Sequence, residues 1–197
     1  MKRYDFLVET YRTERIKTLS VWSQFGDNEM EFRPENRART PHEHMVHQCI
    51  SEDNWMKDML GINANEPALP SVESRIEFIK WYAKLSEIRL AELRRKSDEW
   101  FEEETRFFEV FRSRAWILTR RIAHTAHHRG QLTAYLRFLG KDLYSTYGPS
   151  ADTGGLPKNN AAVIYRYQSI DELMSAEETG GTSPPLPGPG TNKPTER

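Results

Sequence analysis

Four stretches of this chain place their apolar residues three or four positions apart, and that spacing commits it to helices that share a core. In the first, about residues 4–25, Tyr4, Leu7, Tyr11, Leu19, Trp22 and Phe25 recur at three, four or sums of these. The second has a sharp start: Thr40 is a good N-cap, Pro41 suits the first helical position, and Glu43 completes a Thr-x-x-Glu capping box. It carries Met45, Val46, Cys49, Ile50, Trp55, Met56, Met59 and Leu60, and stops at Gly61. The third runs from a Ser71 cap to about Ser97, with Val72, Ile76, Ile79, Ala83, Leu90 and Leu93 as its stripe. The fourth spans about residues 113–139 and ends at Gly140. Residues 100–112 read two ways: Thr105 to Phe111 is aromatic and could be extended or an early start of the fourth helix. No pair of period-two runs supports a substantial sheet. The fold class expected is all-α, a four-helix bundle with short connections.

Beyond the fourth helix the pattern weakens. Residues 147–160 are rich in Gly, Pro and Asn and too long for a simple turn, which suggests a functional loop or a cover. A short fifth helix can begin at Ser169, whose Ser-x-x-Glu box closes with Glu172. Residues 178–197 hold Gly, Pro, Ser and Thr with little to bury, so the expected organisation is one domain over 1–177 and a disordered or loosely laid down tail. A chain of 197 residues buries a real core without staples, and its single cysteine, Cys49, excludes an internal disulfide and a cysteine-rich zinc site. The formal net charge of -1 suggests no nucleic-acid partner. No apolar run approaches the roughly 18 residues that span a bilayer. The first ten residues hold no apolar signal segment, so no membrane and a cytoplasmic location are expected.

All six histidines fall in two short stretches, His42, His44 and His47 at the start of the second helix and His124, His127 and His128 midway along the fourth. Four residues apart, His124 and His128 stack on one helix face. At about 100° per residue, Ile117, Gln131, Leu132, Tyr135 and Leu139 lie within roughly 80° of His124 on that wheel, so both rings point into the bundle. His127 lies about 60° off that face. Buried imidazoles need partners, and one shared metal ion satisfies both. A third ligand must come from the other cluster, with His47 the first choice, then His44 and His42. His47 sits about 60° beyond Ile50 on its wheel, which places the site near a mouth of the bundle. Three nitrogen ligands leave a coordination position open, as in catalytic rather than structural sites. That position suits water or a thiolate. Imidazole ligands suit Zn, Ni, Fe or Cu without choosing among them. A helical His pair alone is more often an ordinary surface or core pair; the second cluster and the apolar face raise it above that.

Competing motifs are absent: His42-Glu43 is followed by Val46 where a zincin needs His, and no histidine has Glu three residues before it. The segment from His124 to Arg137, which reads H-T-A-H-H-R-G-Q-L-T-A-Y-L-R, instead closely resembles the H-x-x-x-H-R-G-Q-x-x-x-Y-L-R signature of the DinB-like (damage-inducible) metalloprotein superfamily. His47 followed five residues later by Glu52 resembles the second-helix motif of that family. The resemblance spans about residues 1–175. It implies an up-down-down-up bundle, a nickel or zinc ion (with iron as a further choice) on His47, His124 and His128, and a homodimer. It also implies relatives that are thiol S-transferases using a low-molecular-weight thiol cosubstrate, and mycothiol-dependent maleylpyruvate isomerase.

Other residues near the motif carry two readings each. Arg129 could orient a substrate anion or form a helix-surface salt bridge. Gln131 and Tyr135 share the ligand face and could touch a small-molecule substrate or orient a ligand, and Tyr135 could equally be plain core. Glu52 falls among apolar positions, which fits a buried ion pair or hydrogen bond, or a role in orienting a ligand. Gly130 would let another helix approach closely. Cys49 reads as a small buried hydrophobe, and Arg112, Arg114, Arg120 and Arg121 as a solvated basic face. Two functions follow as expectations: a metal-dependent enzyme of thiol S-transferase or hydrolase type, or a non-catalytic metal-binding or stress-related protein.

Overall fold

The computed structural model describes residues 2–189. They divide into two compact units, Met1–Gly130 and Gln131–Arg197, with the boundary inside one continuous helix. The first unit contains α1 (Asp5–Trp22), α2 (Pro41–Asn54), α3 (Arg75–Arg95), the short α4 (Asp98–Glu102), a hairpin of β1 (Glu104–Phe107) and β2 (Val110–Ser113), and the start of α5 (Arg114–Phe138). The four long helices are those the apolar spacing predicts. Among the described residues no helix is long and apolar enough to cross a membrane.

Local chemistry sets the boundaries. Thr40 and Glu43 form the expected box: the Glu43 N–H donates to Thr40 Oγ1 at 3.2 Å, and the Thr40 N–H to the Glu43 carboxylate at 2.8 Å. At α3 the cap is Ser74 rather than Ser71, its hydroxyl accepting from the Glu77 N–H at 3.3 Å. Val72 therefore lies outside the helix, exposed. The end of α2 also differs from expectation. Residues Trp55–Met59 form a π-helical turn, in which the Leu60 N–H donates to the Trp55 carbonyl five residues back at 3.1 Å. Gly61 then ends the segment in the left-handed region, at φ 66°.

The ambiguous stretch resolves into α4 and the hairpin. β1 and β2 pair antiparallel from Glu104↔Ser113 to Phe107↔Val110, around a two-residue turn of Phe108 and Glu109. Neither strand has a buried face, so its alternation carries no core signal for the sequence to display.

Leu7, Val8, Tyr11, Met56, Leu60, Ile62, Leu90, Leu93, Phe101, Ile117 and Leu118 form one apolar cluster drawn from α1, the π-helical turn and the residues after it, α3, α4 and α5. Buried arginines brace the helices beside it. Arg15 on α1 donates to Ser86 on α3 at 2.8 Å and pairs with Glu87. Arg89 on α3 reaches Asp53 at 2.8 Å and Glu52 at 3.4 Å. Arg129 on α5 pairs with buried Glu14 on α1 and donates to Thr18 Oγ1 at 3.2 Å. Arg129 is thus an internal clamp, correcting the helix-surface salt bridge: its partner sits 115 residues earlier, out of reach of helix spacing. Arg121 is likewise buried, not part of a solvated face. The close approach expected at Gly130 is also corrected, since a Cβ there would meet nothing within 4 Å.

In the second unit Ser169 caps α6 (Ile170–Thr179), accepting from the Glu172 N–H at 3.1 Å, and Leu173 is buried. Asp152 is nearly buried, ion-paired with Arg137 and accepting from the Leu143 N–H at 2.7 Å. The described part of the tail is laid along this loop: the Gly188 N–H donates to the Asp152 carbonyl at 3.0 Å, and the Tyr144 hydroxyl to the Pro184 carbonyl at 2.7 Å. The rest of the tail expectation, residues 190–197, lies outside the described residues.

Candidate metal centre

α2 and α5 present three imidazoles to one point. One nitrogen from each of His47, His124 and His128 lies within 4.8 Å of the others. His128 is buried and the other two are half-buried. The Nε2 atoms of His124 and His128 stand 3.2 Å apart. Nitrogens bound at about 2.1 Å lie roughly 3.0 Å apart at a right angle and roughly 3.4 Å apart at the tetrahedral angle, so that separation fits two ligands of one ion. A single N–H···N hydrogen bond also spans 3.2 Å, but it gives no role to His47, whose ring centroid is 4.6 Å from that of His128.

The electrostatics favour the ligand form. Burial, then the Arg121 guanidinium, then His128 hold His124 down to about 3. Burial, Arg39 and Arg121 lower His47. Both rings are therefore neutral at pH 7, with lone pairs available to a cation. The Nδ1 of His124 is buried without a hydrogen-bond partner among the described residues. An oxygen acceptor commonly orients a metal-bound imidazole; here Trp55 stacks on the ring instead, centroids 5.8 Å apart at 24°.

The remaining histidines do not bring a nitrogen into this group. His42 lies 2.8 Å from the Glu73 carboxylate. His44 is buried, its centroid 5.3 Å from that of His128, and burial followed by His128 lowers it to about 4. His127 stacks edge-on against His128 at 5.0 Å.

Glu52 is fully buried and accepts from the Tyr11 and Tyr82 hydroxyls at 2.7 Å each, with Arg89 beside it. This is the buried ion-pair reading of that residue, and it locks α1, α2 and α3 together directly behind the His47 segment. The Glu52 charge, after desolvation, holds both tyrosines above their usual range. Cys49 is buried, and burial raises its thiol, so it offers no thiolate. Gln131 and Tyr135 belong to the second unit, where Tyr135 is buried and Gln131 half-buried.

Three features beside the triad escape sequence reasoning. A cleft of about 370 Å³ opens at His47, walled by Ile50, Trp55, Asp58, Met59 and Phe108. Phe108 reaches it only because of the hairpin. Arg121 lies behind Trp55, its guanidinium 5.6 Å from that ring, donating to Ser51 at 2.7 Å and Thr125 at 2.8 Å, with no carboxylate at ion-pair distance among the described residues. Its place one turn before His124 is the signal that could have marked it.

The sequence matches the DinB family over residues 1–157. Two solved structures share the fold. A DinB-like protein from Bacillus cereus ATCC 10987 is 17% identical, with a TM-score of 0.62 over 72% of this chain and 95% of that one. A DinB-like protein (YjoA) from Bacillus subtilis is 17% identical, with a TM-score of 0.57 over 70% and 94%. No curated protein matches this chain. The matched segment takes in all five helices of the bundle and every histidine of the triad, and the chain belongs to the DinB family.

Proposed function

We propose that His47, His124 and His128 hold one divalent ion, nickel or zinc, at the inner end of an open cleft, and that the protein is a metal-dependent enzyme of thiol S-transferase or hydrolase type. The observation that carries this reading is the convergence of three imidazoles, with a cleft a small molecule can enter at His47. A divalent ion held by these three residues would supply Lewis acidity, which lowers the pKa of a thiol or water.

The chain's own residues account for the rest. Trp55 holds the His124 ring in orientation and shields it from bulk water. Arg121, buried and with no carboxylate at ion-pair distance among the described residues, adds a positive field that favours an anionic donor atom over a neutral one. The hydrogen bonds from Tyr11 and Tyr82 to Glu52 fix the helix that carries His47. A low-molecular-weight thiol is the cosubstrate this environment suits, since the positive field of Arg121 favours its thiolate form.

The test is a screen of thiols crossed with electrophiles and activated esters on nickel- and zinc-loaded protein. Turnover that vanishes with a chelator and in His128→Ala supports the enzyme. Stoichiometric metal without turnover across the screen leaves the non-catalytic metal-binding protein.

A further inference from the structure

Phe108 occupies a position that costs a bulky residue. It is the first residue of a two-residue hairpin turn, at φ 51°, in the left-handed region where glycine or asparagine sits without strain. Its side chain is nevertheless 58% exposed, so burial in the core does not hold it there. The ring packs edge-on against Phe107 at 4.8 Å and Trp55 at 6.1 Å and forms one wall of the cleft beside His47. Trp55 faces it from the π-helical turn, a rare distortion that recurs at functional sites, and the same indole stacks on His124. The cleft thus runs between the hairpin tip and His47 of the triad. Ile50 and Met59 add apolar lining, Ser51 and Asn54 add polar lining, and Asp58 adds a negative charge.

Resting on the metal-site reading above, we propose that this cleft selects small molecules with an electron-rich donor atom at one end and a flat, uncharged apolar group at the other, and that Phe108 sets the preference. The donor atom meets the positive field of Arg121 at the inner end. The flat group lies against the sides of Phe108 and Trp55 that line the cleft, where offset or edge-on contact with the two rings rewards an aromatic over an alkyl chain. Asp58 discriminates against a second negative charge on the arm. A volume of about 370 Å³ suits a ligand of that size.

The test compares three thiols, benzyl mercaptan, ethanethiol and 4-(mercaptomethyl)benzoate, on the full chain loaded with cobalt(II). Affinity is read from thiolate-to-cobalt absorption and, independently, from quenching of tryptophan fluorescence. Wild-type protein is expected to bind benzyl mercaptan about tenfold or more tightly than ethanethiol, and more tightly than the benzoate. Phe108→Gly relieves the backbone while removing the ring; it should keep its cobalt and bring the first two thiols within about twofold. Phe108→Asn, which also accepts this backbone, is the second variant should the first fail to fold. Equal affinities in wild-type protein, or an unchanged ratio in the variants, overturn the proposal. Failure to bind cobalt would sink the metal reading alone. The preference is then read in the metal-free protein with benzyl alcohol against ethanol: saturable quenching by the first, lost in Phe108→Gly, sustains it, and no quenching overturns it.

Discussion

Burial holds the imidazoles of His44 and His124 far below their ordinary range, to about 4 and about 3. In the unfolded chain both return to about 6.5. Between those values the unfolded chain binds protons that the folded chain refuses, so stability is complete above about pH 6.5 and falls as the pH drops through that value. The urea midpoint of metal-free protein should therefore be lower at pH 5 than at pH 7.5, with a smaller drop in a His44→Gln, His124→Gln double variant; an equal drop in both would contradict the burial of these rings. Glu52 makes a sharper test of packing. Glu52→Ala leaves two buried tyrosine hydroxyls without their acceptor and Arg89 with Asp53 alone, and should cost about 3–5 kcal/mol in denaturant titration. A loss under about 1 kcal/mol would mean that water replaces the carboxylate easily. Some of this was legible beforehand. The His124 and His128 pair follows from helix spacing alone. His47 was already the first choice from the residues, although the wheel sets it about 60° beyond Ile50, and the resemblance of the motif names the same ring. The burial of Arg121 and Arg129 was illegible, because a guanidinium is buried only where a distant segment supplies its acceptors: Ser51 for one, Glu14 and Thr18 for the other.

α2 carries the most consequence among the elements, because it positions His47 at its middle and ends in the turn that supplies Trp55 to the site. Its start was readable from Thr40, Pro41 and Glu43, and the cap has a measurable worth. Thr40→Ala removes one acceptor of the box and should lower stability by about 1 kcal/mol, with Thr40→Ser close to wild type. The π-helical turn was not readable, since one extra residue per turn leaves the apolar spacing of Trp55, Met56 and Met59 nearly unchanged. α3 contributes by packing instead. Leu93 is fully buried in the apolar cluster, so Leu93→Ala should cost about 2–5 kcal/mol. The hairpin lacks a buried face, and its two-residue turn has no Asn-Gly or Asp-Gly signal. Phe108 and Glu109 stand where such residues would, which is why the stretch read as ambiguous.

At the scale of the whole molecule, the proposed ion would join α2 and α5, two helices far apart in the chain, and its binding free energy would add to folding stability. One equivalent of zinc or nickel should raise the thermal midpoint of the wild type and leave that of a triple His47, His124 and His128→Ala variant unmoved. The bundle architecture was legible because four apolar stripes admit few other arrangements. The division into two units within α5 was not, since the helix runs unbroken across it. The most direct measurement is elemental analysis of purified wild-type protein beside His124→Ala and His128→Ala, each checked for folding by circular dichroism. One divalent ion per chain in the wild type and almost none in either folded variant is the predicted result. Stoichiometric metal retained in both variants would contradict the three-histidine centre.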